Sequence, residues 1–550
     1  MKDFDIYCTF CRRELIVHVL YRARNKPSTA TREENWLSET FARRASGLVR
    51  SLGWWDSFGI GFGGVVLGIA MTSFYYAIPS TLPRVDMVNG LLVLLIVLIP
   101  YLLVYTQLAF AMPRSGGDYI YLSRIVHPAV GFMQSWLAVF IVALNLPIFS
   151  DMITSWLLPS LLTDLGFAES AAALSDLTVR FVIDSLIMIV CTLMIIIPLR
   201  TYAKFQTVLV VLALISPFVM LGVLLIGHDA FVSMWNAVSP IGYNAVIETA
   251  KQAGYVRPEP DLTQTLMAVP ILGFYLLTIW PVHVAGELKD VRKSIFAGLL
   301  GAVMFSWVVF TVGVPLYFGT VGLDFANSLV AIGAQSPVSP PLLSSLIGYV
   351  FHNPALSAVI DIGLIAGAFV VIPQSILVIT RWIFAWAFDR VAPMKFAEVH
   401  KKYFTPYVTA IAVWIAGEFL LLLVLYTGIV GILLNAALGS AMSFVPTLLA
   451  GMVFPWRRKR IFDAAPSFTR AKIGGVPVIT ICGAISGFGL IGLMALLLAN
   501  PQLGFPVTQQ SGAFMIGYWI LGIVLYYIAK AYRKSQGIDI EAAFREIPPE

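Results

Sequence analysis

About a dozen apolar stretches, each long enough to cross a bilayer, recur along this chain of 550 residues. They lie near residues 54–77, 87–111, 130–158, 178–197, 203–227 and 266–285, then near 296–318, 357–388, 407–427, 429–454, 475–499 and 513–532. A spanning helix needs roughly 20 apolar residues and a spanning strand about 10. Lipid offers no partner to a backbone N–H or C=O, so stretches of this length must close their hydrogen bonds as helices. The expected fold class is an all-α polytopic membrane protein with about 12 transmembrane helices. A chain that is 59% hydrophobic and 12% charged carries more apolar surface than a soluble core needs. Its first partner is therefore the lipid bilayer.

The net charge of +6 is sorted by side of the membrane, so it does not point to nucleic acid. With the amino end inside, only Arg84, Arg180, Lys251 and Arg257 of the 36 Lys and Arg face outward. The inner connections hold Arg200/Lys204, Lys289/Arg292/Lys293, Lys395/Lys401/Lys402 and Arg457-Arg458-Lys459-Arg460. Basic residues gather in cytoplasmic loops. Both termini are thus expected in the cytoplasm, with the chain in the cell (plasma) membrane and an even number of spans.

Five spans cross an odd number of times, so spans 6–10 are expected to repeat spans 1–5 upside down. The expected organisation is a basic amino-terminal extension over 1–50, a five-helix repeat over 51–228, an extracellular loop over 229–265 and a second repeat over 266–456. An inner loop with helices 11 and 12 then fills 457–534, and 535–550 form a cytoplasmic tail. The extension lacks the apolar core of a secretory signal. It reads either as a surface-lying stretch around Leu15–Tyr21 or as a polar tail. Cys8 and Cys11 form a lone Cys-x-x-Cys beside His18, without a second ligand pair, so no metal site is expected. Cys191 and Cys482 fall inside spans, where a small buried thiol is the expected role.

Span 1 contains Gly59-Ile60-Gly61-Phe62-Gly63-Gly64-Val65-Val66-Leu67-Gly68. Each glycine costs a helix about 1 kcal/mol against alanine. Two reasons fit such density: close contact between helices through small residues, or a broken helix whose ends face a solute. An inverted repeat that breaks span 1 should also break span 6, and Leu266–Pro281 carries Pro270, Gly273 and Pro281. The matched interruptions point to a central binding site. Gly59, Gly61 and Gly63 are assigned to close packing, and the break to Val66-Leu67-Gly68-Ile69.

Three further segments lie in order on the inner face. Met112-Pro113-Arg114-Ser115-Gly116-Gly117-Asp118-Tyr119-Ile120-Tyr121-Leu122-Ser123-Arg124 joins spans 2 and 3 and continues through His127 to Phe132. Ala285-Gly286-Glu287-Leu288-Lys289-Asp290-Val291-Arg292-Lys293-Ser294-Ile295 ends span 6, and Thr380-Arg381 through Asp389-Arg390-Val391-Ala392-Pro393 ends span 8. Together they resemble the marker segments of the amino acid–polyamine–organocation (APC) superfamily of permeases, over roughly residues 50–535. The resemblance implies a LeuT-like fold, with two inverted five-helix repeats, two carboxyl-terminal helices, and helices 1 and 6 broken. It also implies a secondary transporter, not an enzyme, with no catalytic residues, that moves amino acids or related amines by alternating access.

By the same resemblance the substrate's carboxylate meets N–H groups at the break of helix 1, and helix 6 supplies carbonyls and a side-chain pocket. The implied substrate-binding residues are Val65, Val66, Leu67, Gly68 and Ile69 with Phe274, Tyr275, Leu277 and Thr278. The family's glycine-rich break carries over onto Leu67-Gly68-Ile69-Ala70-Met71, where Leu67 replaces a glycine and Met71 an aromatic ring. Leu277 likewise replaces a smaller residue. Either the correspondence slips by one residue or the pocket is narrow. The helix 5 lysine that replaces sodium in some members carries over onto Ala213. Coupling is therefore open between Na+, H+ and exchange.

Ser375 and Thr380 either donate oxygens to sodium or bond their own backbone. His283 is either a packed core histidine or a proton carrier. Glu287 reads as part of an inward gate, with a surface salt bridge as the alternative. Asp151 and Asp361 sit toward outer helix ends and suit a solvated vestibule, and Glu418 suits an interhelical hydrogen bond. No Gly-x-x-x-x-Gly-Lys-Ser/Thr loop is present, so ATP is not expected to drive the cycle, and no cofactor is expected beyond a coupling ion. The competing reading is a solute sensor on a transporter scaffold, signalling through the amino-terminal extension. Either way a monomer or homodimer is expected.

Overall fold

The computed structural model describes residues 48–338, 341–427, 436–500 and 509–544. The extension over 1–47, with Cys8, Cys11 and His18, lies outside the described residues. Eleven helices among the described residues are long and apolar enough to cross a membrane. Leu262–Leu276, the first part of span 6, is shorter at 15 residues, because the span is interrupted.

Polar residues at helix starts set the span boundaries. Asp86 accepts from the Asn89 N–H ahead of Met87–Ala111. Asp176 accepts from Thr178 and Val179 ahead of Leu177–Ile196, and Asn353 from Ala355 and Leu356 ahead of Pro354–Phe388. Each cap satisfies donors that a helix start leaves without an internal partner.

Span 1 lies at the centre. Of its most apolar window, 78% is buried inside the protein, against 17% for the last span, Ser511–Ser535. It consists of two helices, Trp54–Val65 and Leu67–Thr81, joined at Val66, whose backbone is left-handed (φ 50°, ψ 47°). Val66 N–H still donates to Phe62 O at 3.3 Å, and Ala70 N–H to Val66 O at 3.0 Å. The span is thus kinked at one residue and not unwound over several.

Span 6 is interrupted more deeply. Leu262–Leu276 ends, Leu277–Ile279 leave the helix, and a four-residue helix Trp280–His283 follows, then a tight turn over Ala285–Glu287. Pro270 sits inside the first helix, while Pro281 occupies the first turn of the second, where its missing N–H costs nothing. The interruption therefore falls between Gly273 and Pro281.

The close packing expected of Gly59, Gly61 and Gly63 is present. A Cβ on Gly61 overlaps Gly298 O and lies 2.9 Å from Gly298 C in span 7, one on Gly59 lies 2.7 Å from Gln206 Nε2, and one on Gly63 lies 2.7 Å from Gln374 Cδ. Gly298 belongs to a wide turn, Phe296–Gly301, within span 7. Such turns shift the hydrogen-bond ladder by one residue, and Ser57 Oγ donates to the nearby Ser294 O at 2.7 Å. Gln206 and Gln374 also donate to span 1, at Asp56 O and Gly59 O, both at 3.0 Å.

Spans 1 and 6 are tied to each other at both ends. At one end Ser51 and Leu52 N–H donate to Glu287 O, and Lys289 N–H donates to Leu52 O. At the other, Asp261 N–H donates to Arg84 O at 2.7 Å and Asp86 N–H to Thr265 Oγ1 at 3.0 Å. Two helices fixed at their ends and broken in the middle leave room between the breaks.

Candidate substrate site

That room is a cavity of about 80 Å³. A single water needs about 10–15 Å³ of comparable space, so the cavity holds roughly five to eight water-sized centres, a small organic solute. Gly64 and Val66 border it from span 1, and Phe274, Tyr275, Leu277, Thr278 and Trp280 from span 6. Asn145 and Phe149 of span 3, Trp382 of span 8, and Ser443 and Phe444 of span 10 complete much of the wall.

Its chemistry is aromatic with sparse polar points. Thr278 Oγ1 is buried without a hydrogen-bond partner among the described residues. The neighbouring Leu277 O accepts from Tyr101 Oη at 2.7 Å. Asn145 Nδ2 donates to Ser375 Oγ at 3.2 Å, which fixes the amide at the cavity edge. Tyr101→Phe is expected to lower stability by about 1–3 kcal/mol, because it strips a donor from a buried carbonyl. Urea unfolding in detergent measures this, and an unchanged midpoint counts against a structural role for the bond.

The residues expected at the site divide into two groups. Val66, Phe274, Tyr275, Leu277 and Thr278 line the cavity. Leu67, Gly68 and Ile69 border a separate and smaller space of about 10 Å³ with Ala213, Leu364 and Gly367. Val65 is fully buried and lines neither. The left-handed residue explains the division, since it turns the start of the second helix toward spans 5 and 8. A Cβ on Gly68 meets Leu364 Cδ2 at 3.0 Å and Ser216 Oγ at 3.3 Å. The break at Val66 lies one residue ahead of Leu67, the position of the family's missing glycine.

Gly64 was not expected at the site. A Cβ there overlaps Thr278 Oγ1 and lies 3.1 Å from Thr278 Cβ. Its signal in the sequence is its place as the last glycine before two β-branched residues, where a helix about to kink still has a bare face.

Glu287 and Arg381 form a two-pronged buried pair, Nε to Oε1 and Nη2 to Oε2, both at 2.8 Å. Thr380 Oγ1 accepts from Arg381 Nη1 at 2.9 Å and donates to Leu377 O. About two turns further along span 8, Arg124 grips Asp389 at 2.6 and 2.8 Å, again with both partners buried. The arginine partners of both carboxylates come from the marker segments themselves. Neither pairing was read from the sequence. His283 is fully buried, 3.9 Å from Asp118.

Away from the cavity, Asp151 pairs with Arg180, and Asp361 lines a recess with Asp164 and Tyr349. Glu418 accepts from Ser185 Oγ at 2.7 Å and Trp414 Nε1 at 2.6 Å, the interhelical role expected of it. No cluster of metal-binding side chains occurs among the described residues.

A chain of apolar spans, two of them interrupted around a shared small-solute cavity, has the form of a membrane transporter. Residues 52–526 match the family model described as amino acid permease, and the chain belongs to that family, within the APC superfamily.

Proposed function

We propose that this protein is a secondary active transporter of amino acids or related amines, working by alternating access between the breaks of spans 1 and 6. The observation that carries the reading is the meeting of Gly64 and Thr278. There the bare face of a kinked helix opposes a hydroxyl left unpaired in an interrupted one. A solute with a carboxylate or ammonium group supplies the missing hydrogen bonds, and Tyr275, Trp280, Trp382 and Phe444 cover its apolar or cationic part. Glu287 and Arg381 act as the gate at the end where residues 51–52 clasp residues 287–289. We read that end, and both termini, as cytoplasmic and the membrane as the cell membrane, a reading supported by the sorting of basic residues in the sequence.

Uptake of a radiolabelled mixture of protein amino acids and putrescine into proteoliposomes tests the proposal. Saturable uptake is expected, and its absence across the mixture overturns the reading. Gly64→Leu places a branched side chain against Thr278 and is expected to lower uptake by about 100-fold or more, the scale of a loss of roughly 3 kcal/mol. Normal uptake by a folded Gly64→Leu protein places the site elsewhere.

A further inference from the structure

Between the cavity and the Glu287–Arg381 pair lie a carboxyl and an imidazole that the transport reading leaves unused. Asp118 and His283 are both fully buried, with Oδ1 and Nδ1 3.9 Å apart. Asp118 also borders the cavity. Its Oδ2 accepts from Gln134 Nε2 at 2.6 Å and its Oδ1 from Trp382 Nε1 at 3.1 Å. These are neutral donors, so the carboxyl has hydrogen bonds but no counter-charge.

The other buried carboxylates at this end are treated differently. Glu287 and Asp389 are each gripped by an arginine. Those arginines, Arg381 and Arg124, are thereby committed elsewhere. Among the described residues, the other titratable groups facing Asp118 are the phenols of Tyr101 and Tyr105 in span 2, while Tyr119 on its own segment lies against Arg124 and Asp389. Span 3 presents Gln134 and span 8 Trp382 beside Arg381, while Arg457 at the end of span 10 bonds Val126 O. Among the described residues, His283 is the one base within reach.

His283 in turn has no well-formed hydrogen bond on either ring nitrogen among the described residues, its ring lying against the Gly116 backbone. Its ring lies 4.3 Å from that of Trp382. It reaches Asp118 only because residue 117 is glycine, since a Cβ there lies 2.6 Å from His283 Cε1. Gly116 N–H donates to His283 O at 3.1 Å, which holds the short helix against the Asp118 segment. A buried polar side chain with unmade bonds is costly unless some state of the protein completes them.

We propose that Asp118 and His283 together form the proton-binding site that couples substrate movement to protons, an inference that rests on the transport reading. One proton entering from the cavity changes the pair's charge from −1 to 0, and a small approach across the 3.9 Å gap lets Oδ1 and Nδ1 share it. The neutral pair tolerates a closed, water-poor cavity. The charged pair favours a wet, open one, because an unpaired carboxylate away from water is strongly disfavoured. Asp118 lies on the connection between spans 2 and 3, outside both. Burial pushes its carboxyl up to about 7, against the opposing pull of the Trp382 and Gln134 hydrogen bonds. A group titrating there can load and unload near neutral pH. His283 stands on the short half of span 6 and Asp118 is anchored to spans 3 and 8, so the proton also fastens a broken span to its neighbours.

The test uses the whole protein in proteoliposomes, an inward proton gradient, trapped pyranine and the radiolabelled mixture of amino acids and putrescine. With a gradient of about one pH unit, one coupled proton supports about tenfold accumulation, with matching acidification of the lumen. In Asp118→Asn, whose oxygen keeps the Trp382 bond and whose amide nitrogen can donate to Gln134 Oε1 once that amide turns over, the gradient should no longer drive accumulation or acidification. In His283→Gln, half-maximal uptake should move to lower pH by about one unit, because the proton loses its second acceptor. Gradient-driven accumulation surviving in Asp118→Asn, or a wild type that exchanges preloaded for labelled solute but ignores the gradient, overturns the inference. A wild type showing neither uptake nor exchange overturns the transport reading instead.

Discussion

Gly61→Ala should prevent span 1 from seating against span 7. The added methyl overlaps the backbone oxygen of Gly298 and lies 3.0 Å from the Ala302 side chain. A flexible side chain could rotate away, but a carbonyl inside a helix cannot. Overpacking usually costs about 1–3 kcal/mol, and a clash with backbone belongs at the upper end or above it. The two spans meet glycine against glycine, since a Cβ on Gly298 lies 2.8 Å from Ser57 O. Relief by shifting either helix therefore creates a second clash. The expected result is loss of the monodisperse protein in detergent, or a fall in stability of about 3 kcal/mol or more. Gly222→Ala is the control: nothing lies within 4 Å of its added carbon, so it should stabilise span 5 by up to about 1 kcal/mol. Equal stability of the two variants would contradict the packing described.

Arg381→Met should cost about 3–5 kcal/mol, because it strands the buried Glu287 carboxylate without its partner. Glu287→Leu should cost a similar amount, since it leaves a guanidinium held by Thr380 alone. Combining the two should recover most of the loss, because a well-packed apolar pair often equals a buried ion pair in stability. Unfolding of all four proteins in one detergent closes the cycle. The proposed gating role makes a separate prediction: the stable double variant should show altered transport rates. Additive losses would mean that the two residues act independently, and the gate would have to lie elsewhere.

The sequence displayed the spans, the sorting of charge and the two interruptions, because each depends on the order of residues along one helix. Lipid enforces those features locally, so they survive in a one-dimensional reading. The exact wall of the cavity was less visible. Val66 turns the chain through a conformation that β-branched residues avoid, so Leu67, Gly68 and Ile69 face spans 5 and 8 while Gly64 faces Thr278. No periodicity announces a single left-handed residue. The partners of Glu287 and Asp389 were hidden for another reason. They are set by where spans 6, 8 and the segment after span 2 converge, over sequence separations of 94 and 265 residues. Asp118 lay in the marker segment, yet only its burial beside His283 and the absence of an arginine partner among the described residues distinguish it from its neighbours.

Val66 also gives span 1 a built-in direction of recoil. A left-handed residue with a side chain costs roughly 1–2 kcal/mol, more readily tolerated by glycine than by valine. That cost is present only while the span is kinked. Lateral contacts around Phe62 and Ile69 must outweigh it, and any state that loosens them releases it toward a straighter helix. A bias of this size shifts the balance between kinked and straight forms by roughly five- to thirtyfold. The hinge is thus a weak spring wound into the backbone, and the neighbouring helices decide when it is held and when it lets go.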